Sequence, residues 1–178
     1  MATGLSARAQ PGLIETRLAR AVRGLAIPRD VKRMANPVPK SADVVAAGMS
    51  HFADHCASCH ANDGSGKTEM GQGLFPKAPD MRQPATQQLT DGELFYIIEN
   101  GVRFTGMPAW STGAPDGEQA SWHLVHFIRA LPTLTPEQIA QMEGLNPKPP
   151  EEIRQQIEEE RFLKVGGDTP PTPKPHAH

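Results

Sequence analysis

Residues 56 to 60 read Cys-Ala-Ser-Cys-His, and the chain holds no other cysteine. Two thiols separated by two residues and followed at once by an imidazole form the attachment signature of a c-type haem. The sulfurs add to the two porphyrin vinyl groups and the histidine binds the iron. One helical turn offers both sulfurs to one porphyrin edge and carries His60 beneath the macrocycle, so spacing and ligand order follow from one geometry. Cys56, Cys59 and His60 are thus the candidate cofactor-binding residues for one covalent haem c, with His60 as a metal ligand. Two other readings are weaker. A redox dithiol of the thioredoxin kind would follow a buried strand within a βαβ unit, whereas the run from Val44 to Phe52 reads as a helix. A structural zinc site would need a second ligand pair at finger-like spacing, which the remaining histidines do not offer.

His60 alone leaves the sixth iron position open. Met70, Met81, Met107, His123, His126 and Met142 are the side chains downstream that can close it. Met107 stands out because Gly106 and Pro108 bracket it in Arg103-Phe104-Thr105-Gly106-Met107-Pro108-Ala109-Trp110. Glycine permits close backbone approach and proline fixes φ, so such a loop presents sulfur rigidly to a metal. Met107 is therefore the second candidate metal ligand. Arg103 and Trp110 flank it as candidate partners of the haem propionates. His51 and His55, one helical turn apart, read as surface residues rather than ligands.

With these residues in view, the stretch from about Ser41 to Pro132 resembles a class I cytochrome c domain of the short bacterial type. The resemblance is carried by the pentapeptide, by Gly64-Ser65-Gly66-Lys67-Thr68, Ala78-Pro79-Asp80-Met81 and Gly106-Met107-Pro108, and by a closing helix from Trp122 to Leu131. It implies an all-α fold in which three to five short helices enclose one haem, with helical or extended flanks at both ends. It also implies that the carbonyl of Pro79 accepts a hydrogen bond from the other nitrogen of the histidine ligand, which fixes the ring orientation and raises its basicity. Finally, it implies that the first and last helices cross where Gly48 and Phe52 meet Phe127, with Trp122 toward a different side of the last helix.

Composition sets the bounds. Aromatic residues are only 5% of the 178, and most of the eighteen prolines fall outside the proposed domain. A domain of this size buries a modest core, so the haem must supply much of the apolar interior, and losing it should unfold the domain. Four segments are expected: a basic arm at 1–40, the cytochrome domain at 41–132, a charged helical extension at 133–164, and a disordered Pro/Gly/His tail at 165–178. The net charge of −2 conceals charges of +6, −5 and −3 on residues 1–40, 41–132 and 133–178. No basic patch interleaved with aromatics points to nucleic acid.

Within the arm, Ile14, Leu18, Val22 and Leu25 recur at helical spacing among Arg17, Arg20 and Arg23, predicting an amphipathic helix from about Pro11 to Leu25. That helix packs on the domain, on a partner or on anionic lipid headgroups. Pro28, Pro37 and Pro39 predict an extended connector. Ser41 is placed to cap the helix before the pentapeptide, Thr90 and Glu93 form a capping box, and Asn100-Gly101 stops that helix. Asp116 with Gln119 is read as opening the last helix, which ends at Leu131-Pro132, and Thr135-Pro136-Glu137-Gln138 as opening another. The run from Glu151 to Lys164 is a charged helix, and no convincing strand pattern appears.

No apolar run is long enough to span a bilayer and no signal-peptide core precedes the domain. Covalent haem attachment in bacteria takes place outside the inner membrane, so the expectation is a periplasmic location with an N-terminal anchor or signal beyond this chain. His/Met ligation saturates the iron and favours its ferrous state. The function expected is therefore single-electron transfer rather than enzymatic turnover, to redox protein partners or within a membrane oxidoreductase complex. A haem sensor or peroxidase-like enzyme with a displaceable Met107 is the alternative. His176-Ala177-His178 is a weak candidate for a divalent-metal tail.

Overall fold

A computed structural model of the chain describes residues 6–165 apart from Arg8. The expected tail from residue 166 onward, with His176 and His178, lies outside the described residues. In chain order the elements are α1 (Leu13–Ala26), α2 (Arg29–Lys32), α3 (Ala42–His51), a π-helical turn (Phe52–Cys56), α4 (Ala57–His60), α5 (Glu69–Gly73), α6 (Pro84–Gln87), α7 (Asp91–Asn100), α8 (Pro115–Ala130), a 3-10 turn (Leu131–Thr133), α9 (Pro136–Glu143) and α10 (Pro150–Val165). The fold is all-α, and no strand occurs among the described residues. Two compact units divide the chain, at residues 1–146 and 147–178.

Helix boundaries follow local chemistry. The Ser41 hydroxyl accepts the Val44 N–H at 3.2 Å and so starts α3. Thr90 and Glu93 exchange bonds in a capping box at α7, and Thr135 and Gln138 do the same at α9. Gly101 ends α7 at a φ of 64°, in the left-handed region that favours glycine. Two expectations need correction. Asp116 does not cap α8: Ala114 holds that position without a side-chain bond, and Pro115, with φ preset for a helix, occupies the first turn. The connector after Pro28 is not wholly extended, because Arg29–Lys32 forms α2, which packs on α7 where Gly92 admits the Val31 backbone.

The core of the first unit sits where α3 and its π-helical continuation cross α8. A Cβ at Gly48 would meet the His123 carbonyl and lie 2.9 Å from the Phe127 Cβ, so the two backbones approach as only glycine allows. Phe52 and Phe127 pack tilted at 5.1 Å. Both are fully buried, a state that stabilises by roughly 1.5–3 kcal/mol per side chain. Trp122 faces elsewhere on α8 and stacks on Phe95 of α7 at 4.1 Å, with ring planes 7° apart. Packing continues past the end of α8, since Met142 of α9 is fully buried. With its amide oriented to satisfy its neighbours, Asn146 donates to the Ala53 and Met142 carbonyls at 3.1 Å each, giving the π-helical turn a side-chain donor.

Arg129 ties the far end of α8 to the loop between α6 and α7. Its guanidinium donates to the carbonyls of Gln87 at 2.7 Å and Leu89 at 2.5 Å and to the Asp91 carboxylate at 2.8 Å. The arm is fastened by Asn36, which donates to the Trp122 carbonyl at 2.9 Å, and by His126, whose Nε2–H donates to the Val38 carbonyl at 2.7 Å. The second unit contains α10, with surface pairs Lys148–Glu152 at 3.3 Å across its start and Glu160–Lys164 at 3.7 Å within it. No described helix is long and apolar enough to cross a membrane.

Candidate functional site

The pentapeptide lies on the last π-helical residue and on α4, so Cys56, Cys59 and His60 follow one another on a continuous helical rod. Both cysteines are free thiols and half-buried. Burial, reinforced by the neighbouring Cys59, pushes the Cys56 thiol up to about 12. A redox dithiol needs a thiolate stabilised near neutral pH. Cys56 has the opposite environment, and a helix rather than a strand leads into it. Thioredoxin-like chemistry therefore does not fit.

His60 closes the rod. Burial pushes its imidazole pKa down, so the ring is neutral near pH 7, while the Pro79 carbonyl acts weakly in the opposite sense. The pair falls short of hydrogen-bond geometry, and His60 Nδ1 is buried without a partner. A buried ring nitrogen left unsatisfied costs about 1–3 kcal/mol, which calls for an explanation.

The chain turns sharply after His60, with Ala61 at a φ of 60°. The His60 carbonyl accepts the Gly66 N–H at 2.8 Å. Thr68 donates to the Cys59 carbonyl at 3.1 Å and caps α5 by accepting the Gly71 N–H at 2.9 Å. Arg82 clamps the return of this loop, with a two-pronged contact to Asp80 at 2.8 and 2.9 Å and a third bond to Asp63 at 2.9 Å. The Met81 N–H reaches the Gly64 carbonyl at 2.8 Å.

The hydrogen bonds from Arg82 hold the Asp80 carboxyl at about 2, below its ordinary value. A depressed carboxylate pKa stabilises the fold fully above the unfolded value near 4, and that contribution is lost as pH falls from about 4 through about 2. The Asp80 side chain is 27% exposed, so solvent limits the effect to about 1 kcal/mol. Arg82→Ala is expected to lower the melting temperature at pH 6, with the difference from wild type shrinking as pH falls and vanishing only below about pH 2. A pH-independent difference in melting scans would contradict this origin.

Met107 sits half-buried in the loop after α7. Its N–H reaches the Thr105 hydroxyl at 3.1 Å, and its carbonyl accepts the Val102 N–H at 3.1 Å. A Cβ at Gly101 would lie 2.6 Å from the Met107 carbonyl oxygen, and one at Gly106 would lie 2.5 Å from Leu74. Phe104, at the tip, combines a φ of 61° with 94% exposure. Trp110 leads the loop back: its N–H donates to the Ile98 carbonyl at 3.0 Å, and its indole stacks on His55 at 5.4 Å. The methionine loop is thereby fixed to the helix that enters the pentapeptide.

Most of the other sulfur and imidazole candidates are packed, exposed or engaged. Met81 and Met142 are core residues, and Met70 is exposed. His126 is spent on Val38, and the Nε2 of His123 is buried without a partner. Arg103 is exposed. The Arg82 clamp and the Thr68 bond went unread in the sequence, because Arg82 meets Asp63 only through the fold.

The donor set is two free thiols, a half-buried imidazole whose neutral form burial favours, and a thioether in a braced loop. It fits a haem, for which Cys56, Cys59, His60 and Met107 are the residues present. The comparisons point the same way. Residues 43–128 match the family model described as cytochrome c oxidase, cbb3-type, subunit III. The chain is also 31% identical over 93 residues to the cbb3-type cytochrome c oxidase subunit FixP of Rhizobium etli, an alignment covering 52% of this chain and 30% of that protein. Helical fold, pentapeptide and family match agree: residues 43–128, just under half of the chain, are similar to the cbb3-type cytochrome c family and are consistent with a class I cytochrome c domain.

Proposed function

We propose that the chain is a single-electron carrier that holds one haem c through Cys56 and Cys59, with His60 and Met107 as axial ligands. The haem, when bound, supplies reversible Fe(III)/Fe(II) exchange. The protein contributes positions and environment. Cys56 and Cys59 are free thiols placed for thioether formation. Burial favours the neutral His60 that a metal ligand needs, and the Pro79 carbonyl is assigned to its Nδ1. The thioether of Met107 is soft and favours the ferrous state. Arg103 and Trp110 are assigned to the propionates, Trp110 already fixed by its stack on His55. With His60 and Met107 both holding the iron, no coordination position would remain for a substrate.

The observation that carries this reading is two free thiols and an imidazole in succession on one helical rod, within the segment that matches the cbb3-type family. The working place is the periplasmic side of the inner membrane, where thioether attachment occurs. The partner is a redox protein or a membrane oxidoreductase complex of the kind named in the matched family description.

Haem staining of a denaturing gel tests the attachment. Protein exported with the maturation machinery is expected to retain haem through denaturation, and Cys59→Ala to lose most of that covalent signal. A wild-type band without tetrapyrrole would end the proposal.

A further inference from the structure

We propose that α1 is a membrane-surface helix whose apolar face enters the interface of an anionic bilayer. An amphipathic helix of a globular protein ordinarily buries its apolar stripe, yet α1 buries none of its residues. At 100° per residue, Ile14, Leu18, Ala21, Val22 and Leu25 fall on one stripe, and its four large side chains are 55–87% exposed. Thr16 and Arg23, on the opposite side, are half-buried.

The contacts agree with that orientation. Arg23 lies within electrostatic reach of Glu93, Lys32 donates to the Gly24 carbonyl and pairs with Glu93 at 3.8 Å, and Ile27 just beyond the helix is buried. The helix is thus attached by its polar side and by its stem, with the apolar stripe turned away from the protein. This is a contiguous patch and not a scatter of single exposed side chains.

Charge selects the occupant. Arg17 and Arg20 lie beyond one border of the stripe, and Arg29, Arg33 and Lys40 are exposed on the segment that follows. Residues 1–40 carry +6 and residues 41–132 carry −5. An anionic surface therefore attracts the arm and repels the domain, which orients the molecule arm-down. An apolar stripe beside arginines on a helix of low overall hydropathy matches the physics of helices that lie in the lipid interface. A second copy would bring the same arginines together and so meets repulsion where a bilayer offers complementarity.

Vesicle flotation of the full chain tests this independently of the haem. Wild type is expected to float with phosphatidylcholine vesicles in which about a third of the lipid is phosphatidylglycerol, at least about tenfold more than with phosphatidylcholine alone. Salt near 0.5 M should weaken that binding. The double variant Leu18→Glu, Leu25→Glu should lose it while keeping the wild-type melting temperature, because neither side chain is buried. Equal flotation of wild type and variant, or no flotation of wild type on anionic vesicles, would overturn the proposal. So would a lowered melting temperature in the variant, since the stripe would then be packed on protein. A wild-type dimer that the variant abolishes, with no vesicle binding, would assign the face to a second copy instead.

Discussion

Met107→Ala should leave the haem covalently attached while the reduction potential falls by on the order of 0.1–0.3 V, within the roughly 0.8 V that axial ligands command. The loop makes the change local. Its backbone is held by Thr105, by the Val102–Met107 bond and by the anchoring of Trp110 to Ile98, none of which uses the Met107 side chain. Removing the sulfur therefore opens a coordination position without unravelling the turn. The oxidised wild type should show the methionine-to-iron charge-transfer band and resist cyanide, whereas the variant should lose the band and bind cyanide. An unchanged spectrum in the variant would refute the axial assignment. Ready cyanide or peroxide reaction in the wild type would instead favour a sensor or peroxidase-like role.

The second large effect is structural. Gly48→Ala places a methyl against the His123 carbonyl, 2.8 Å from its carbon and 2.9 Å from the Phe127 Cβ. The obstruction is backbone, so no rotamer change relieves it, and α3 must move off α8 at the centre of the core. The expected loss is about 3 kcal/mol or more, a large part of the total stability of a small domain. Gly24→Ala is the matched control. No atom lies within 4 Å of a Cβ there, and it sits within α1, so the change should be neutral or stabilising by up to about 1 kcal/mol through helix propensity. Denaturant midpoints measured on both variants decide the matter. Equal midpoints would mean that the α3–α8 crossing tolerates separation.

What could be read from the sequence was what depends on near neighbours. The Ser41 cap, the Thr90–Glu93 box, the helix opened by Thr135-Pro136-Glu137-Gln138 and the Gly101 stop each rest on residues within a few positions, and all stand in the structure. The Gly48–Phe127 crossing came from family resemblance, not from periodicity. Chemistry that joins distant residues stayed hidden. Arg82 reaches Asp63 across nineteen positions, and Arg129 reaches the loop between α6 and α7 across about forty. The four residues of α2 are too few to show a period, and they form a helix because Gly92 offers them a seat. Asp116 misled because aspartate one position into a helix looks like a cap, whereas Pro115 had already set the boundary one residue earlier.

The π-helical turn from Phe52 to Cys56 left no mark in the sequence either, yet it governs how the pentapeptide is aimed. One additional residue in the coil displaces everything downstream by roughly 100° about the axis relative to an uninterrupted α-helix. Phe52 and Ala53 thus face the interior in phase with α3, while the thiols and imidazole keep a phase of their own. The five-residue motif is consequently not a portable cassette. Spliced onto a straight helix without that surplus residue, it would point its sulfurs and its nitrogen at the wrong wall of the molecule.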